Sequence, residues 1–73
     1  MSIQVAEKLL ADPKAGVESL LEVLTWLNKD IDSLRARKKC AQSQVLIDEI
    51  AKEISGNESA VEKVTRRILE KCS

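Results

Sequence analysis

The chain has seventy-three residues, enough for one small domain, and is 44% hydrophobic and 33% charged, with twelve basic groups balancing twelve acidic ones. The apolar fraction is too high for disorder, and a bias to Leu, Ala, Glu, Lys and Ile with Trp26 as the sole aromatic disfavours strands. Histidine is absent, which removes imidazole acid–base and His-based metal chemistry, and zero net charge argues against a generic nucleic-acid coat or an anionic-membrane binder.

The expected class is all-α: residues 1–73 as a single small three-helix bundle with an additional short N-terminal helix. Ser2 can cap a first helix over about 3–11, with Ile3, Ala6, Leu9 and Leu10 on one face. Asp12-Pro13 then punctuates the chain, aspartate serving as N-cap and proline as first residue of a long helix over about 13–38. Within it Val17, Leu20, Leu24, Leu27, Ile31 and Leu34 are spaced 3, 4, 3, 4, 3, a coiled-coil-like seam that Leu21 and Trp26 widen. The seam fails at Lys38, and Arg35-Ala36-Arg37-Lys38-Lys39 is a basic run of the kind helix C-terminal ends favour.

The next apolar face is Leu46, Ile47, Ile50, Ala51 and Ile54. On one continuous helix it would lie roughly 130° from the first seam, which places a turn around residues 38 to 44 and a third helix over about 44–55. Ser55-Gly56-Asn57 reads as a stop, with glycine in its usual left-handed role. Ser59-Ala60-Val61-Glu62 has capping-box form and opens a last helix over about 59–72, with Val61, Val64, Thr65, Ile68, Leu69 and Cys72 on one face.

No run approaches the roughly eighteen apolar residues of a membrane span. Met1-Ser2-Ile3-Gln4 lacks a basic n-region, so no signal peptide is expected. Cys40 and Cys72 match no metal or redox spacing, and the reading is a cytoplasmic protein with two reduced thiols. A disulfide is the alternative, because an up–down–up arrangement would set both cysteines at one end. The two glycines form no phosphate loop, and the carboxylate pairs Asp30/Asp32 and Asp48/Glu49 have spacings that share no helix face. No enzyme activity, cofactor or metal is expected. Ser43-Gln44-Val45-Leu46-Ile47-Asp48 resembles the Ser-Gln-x-Leu-Asp signature of the small helical-hairpin aspartyl-phosphate phosphatases, but the extra Ile47 turns the carboxylate about 100° off that face.

Residues 47 to 69 resemble the helix-turn-helix of small transcription regulators. Ala51 fits the small residue at which the two helices cross, with Ile50 before it, Ile54 after it, and Val61 and Val64 ten and thirteen positions on. The family's glycine falls four residues after the alanine, whereas this chain has Ser55 there and then Gly56. The resemblance implies a helix-turn-helix-like C-terminal half whose last helix offers Ser59, Lys63, Arg66, Arg67 and Lys71 to nucleic acid.

Three functions follow as expectations. The first is a small regulator, of the kind phages and plasmids encode, that acts by binding RNA polymerase, another transcription protein or DNA. The second is a helical interaction module without a nucleic-acid role: a homodimer, an adaptor or a secretion-type chaperone. The third is a sequence-specific repressor using the last helix. The balanced charge favours a protein partner over DNA. Residues 1–34 carry three basic against six acidic groups, 35–47 four against none, and 48–73 five against six. Expected partner-binding residues are Ile3, Leu9 and Leu10, on a helix the core does not need, and the basic cluster Arg35, Arg37, Lys38 and Lys39.

Overall fold

A computed structural model describes residues 2–72 as three helices: α1 Ser2–Ala11, α2 Val17–Cys40 and α3 Gln44–Cys72. No strand occurs among the described residues. α2 and α3 form an antiparallel hairpin across the three-residue link 41–43, and α1 lies against both, giving a rod of 44 × 18 × 17 Å.

α1 ends where Asp12 precedes a proline that has no N–H to donate. The Asp12 carboxylate accepts the Lys14 amide at 2.9 Å, and the Ala15 amide bonds the Asp12 carbonyl at 3.2 Å. That turn occupies the aspartate, so it does not cap α2, and the helix begins at Val17 rather than at residue 13. Its N-cap is Gly16, with φ −79° and ψ 160° and no side chain to offer. At the far end the basic run lies in the last turns of α2, where the carbonyl ends favour cations. The expected break near residues 38–44 is present, as the link after Cys40.

The largest departure is in the C-terminal half. Helices over 44–55 and 59–72 were expected, but α3 is one helix of twenty-nine residues that runs through Ser55-Gly56-Asn57. Glycine inside a helix costs about 1 kcal/mol relative to alanine, too little to stop a helix whose apolar face continues on both sides. Ile50, Ile54, Asn57, Val61, Val64 and Ile68 are spaced 4, 3, 4, 3, 4, and the amide at Asn57 masks the continuity of this stripe. Asn57 is buried at 6% exposure.

The core forms two clusters along the rod. Near the open end of the hairpin, Leu20, Val23 and Leu27 of α2 meet Ala60 and Val64 of α3 and Ala6 of α1. Near the link, Ile31 and Leu34 meet Ile50 and Ile54, with Ala41 and Val61 packed against them and no described residue of α1. The seam from Val17 to Leu34 is therefore used within the chain, while Leu21 and Trp26 stay exposed. Val23, off that seam, is fully buried in the cluster that α1 completes.

α1 docks through Ala6, whose small side chain lets the helices approach closely. Ile3, Leu9 and Leu10, expected to be available to a partner, instead pack half-buried against the first cluster. A Leu9→Ser/Leu10→Ser double variant should lose about 2 kcal/mol, since each leucine is half-buried and full burial is worth about 1.5–3 kcal/mol. The melting temperature followed by circular dichroism should fall by about 10 °C. An unchanged melting temperature would show that α1 contributes nothing to the core.

Candidate interaction surface

The cysteines lie at opposite ends of the rod, correcting the expectation that they share one. Cys40 adjoins the link, whereas Cys72 ends a helix that starts just beyond it. At about 1.5 Å per residue the two are roughly 40 Å apart, and a disulfide needs Cα atoms within about 7 Å. Both are free and exposed.

Among the described residues, no group of three or more His, Cys, Asp or Glu side chains could hold a metal ion. Asp48 is exposed and its carboxylate accepts the Gln44 side-chain amide at 3.0 Å. The residues with an expected nucleic-acid role lie along α3, with no turn before them. Arg67 donates to the Leu10 carbonyl at 3.1 Å, satisfying an acceptor that the end of α1 leaves open, and sits 3.7 Å from Glu70. Lys71 reaches the Pro13 carbonyl at 3.5 Å, and Arg66 pairs with Glu62 at 3.3 Å. Lys63 and Ser59 border the crevice between α1 and α3. Two of the four cations thus fasten α1 and the turn after it.

The other basic cluster stands free of such duties in position, at the exposed end of α2, and one of its members borders a groove. α1 fills only part of the furrow between α2 and α3. Its N-terminal turn lies beside Gly56, where a Cβ would sit 3.7 Å from Ile3 Cδ1, and its last turn lies beside Arg67. Beyond Ile3 the furrow continues toward the link as a groove of about 340 Å³ that no other described residue fills, lined by Leu34, Arg37, Cys40, Ala41, Leu46, Glu49, Ile50 and Glu53. Glu53 also lines, with Asp30 and Lys52, the crevice beside Ser2 and Ile3, so the two are neighbours along the furrow.

The floor of this groove is apolar and its rims are charged with opposite signs. Leu34 and Ile50 belong to the second core cluster, and Ala41 packs on it. Leu46 is 46% exposed and its neighbour Val45 68%. Arg37 stands on the α2 rim, and Glu49 and Glu53 stand on the α3 rim. Leu46 and Ile50 were expected in the core of a third helix. Ile50 is buried, whereas Leu46 is exposed on the groove's lining. Of the groove's charged residues only Arg37 was expected to bind. Glu49 and Glu53 read as ordinary solvated positions, and only the placement of α1 shows what they flank.

No family model, curated protein or solved structure matches this chain.

Proposed function

We propose that the chain is a non-catalytic helical interaction module that binds a protein partner at the hairpin tip. The observation that carries this reading is the incompletely filled furrow: a helix already occupies one half, and the other half keeps an apolar floor between charged rims. The exposed basic run beside it, Arg35 to Lys39, adds a charged contact surface of the kind that steers protein association. A transcription protein is one partner that would make such a module a small regulator. DNA ranks below a protein, because Arg66, Arg67 and Lys71 of the last helix are engaged within the chain.

The two cysteines give the experiment an internal control. A thiol-linked photo-crosslinker on Cys40, in a Cys72→Ser background, should capture a defined protein from the native host. The same label on Cys72, in a Cys40→Ser background, should not, and Leu46→Asp should abolish the Cys40 capture without lowering helicity. Equal capture from both ends, capture of nucleic acid alone, or no capture would overturn the reading.

A further inference from the structure

The charge pattern of the groove restricts what can fill it. α1 shows how the furrow accepts a helix: an apolar stripe of Ile3, Ala6 and Leu10 faces inward, and Glu7 stands beside Lys63 along one flank. At the tip the α3 rim is acidic instead, through Glu49 and Glu53, and the α2 rim carries Arg37. A second molecule's α1 seated there in the same direction would set Glu7 toward two carboxylates, which disfavours it as the occupant of the tip.

A second copy of the whole chain fits no better. Two tips packed face to face with their rods antiparallel are related by a two-fold axis that lays α2 over α2 and α3 over α3. Arg37 would then oppose Arg37, and Glu49 and Glu53 would oppose their own counterparts. The parallel arrangement matches the charges but brings the two α1 helices into collision, since each rises above the furrow.

We infer that the occupant is an amphipathic α-helix of another protein, seated in line with α1. It presents a small-and-apolar stripe to Leu34, Ile50, Ala41 and Leu46, acidic side chains to Arg37, and basic side chains to Glu49 and Glu53. Residues 46 to 53 of α3 span about 10 Å at the helical rise, so the footprint is about two turns, anchored at i, i+3, i+4 and i+7. The inference rests on the interaction-module reading and adds the partner's secondary structure and charge order.

The test uses the full chain and two synthetic helical peptides of about fourteen residues with the same apolar stripe. One carries Glu on the flank over α2 and Lys on the flank over α3; its twin has the two exchanged. Fluorescence anisotropy should show the first binding at least about tenfold more tightly, the scale of a close charge pair with one partner reversed. An Arg37→Glu/Glu49→Lys/Glu53→Lys variant, whose changes are all at exposed positions, should retain helicity and invert the preference. Equal affinity for both peptides, or no binding of either, overturns the inference. So does a sedimenting dimer that Leu46→Asp dissociates, which would make a second copy the occupant. If the peptides fail while Cys40 still captures a protein, only the helix assignment falls and the module stands.

Discussion

Leu27→Ala should remove about 3 kcal/mol of stability, within the range measured for buried leucines whose cavities collapse only in part. Leu27 is fully buried in the one cluster to which all three helices contribute, so the void opens where α1, α2 and α3 meet. For a chain of this length total stability is on the order of 4–11 kcal/mol, and the substitution takes a large share of it. The midpoint in urea should drop steeply with an unchanged slope, and the melting temperature should fall by about 12–24 °C. A loss below about 1 kcal/mol would mean that α1 does not seal this cluster in solution.

Substitutions at Gly56 should act in opposite directions, and their signs decide how the C-terminal half is built. No glycine among the described residues has a positive φ, and Gly56 lies inside α3. A Cβ there would meet Ile3 Cδ1 at 3.7 Å, an ordinary contact. Gly56→Ala should therefore stabilise by about 1 kcal/mol, through helix propensity and a less flexible unfolded chain. Gly56→Pro should cost about 3 kcal/mol or more, because it deletes an interior hydrogen bond and its ring clashes with the preceding turn. A helix-turn-helix with Gly56 as a left-handed stop predicts the reverse for alanine, which would be strained at positive φ. Thermal melts of the two variants beside the parent protein separate these cases.

Much of the architecture is legible in the residues, and the failures have physical causes. The all-α class, the short first helix and the break after α2 follow from composition, from Asp12-Pro13, and from two apolar faces that cannot share one straight helix. The stop at Gly56 is misread because a glycine followed by an asparagine carries the local signature of a helix end. The contacts that override it, Ile54 on α2 and Ala60 against α1 and α2, are tertiary and do not show in a local window. The same limit applies to Ile3, Leu9 and Leu10. Their stripe declares a buried face, but whether that face meets its own chain or another depends on how α2 and α3 leave a furrow. The groove is least legible of all, since it is framed by side chains of two helices that no motif brings together.

The unequal thickness of the rod also sets where the molecule opens. Around Leu20 to Leu27 and Ala60 to Val64 three helices shield one another's backbone, whereas around Ile31 to Leu34 and Ile50 to Ile54 only two do. Amide protons in the last turns of α2 and the first turns of α3 should therefore exchange with solvent through local opening, well before those at the open end of the hairpin. A helix seated in the groove, as proposed, would supply a third layer there. Association and local ordering would then be one event, and slowed exchange confined to residues flanking the link would report it.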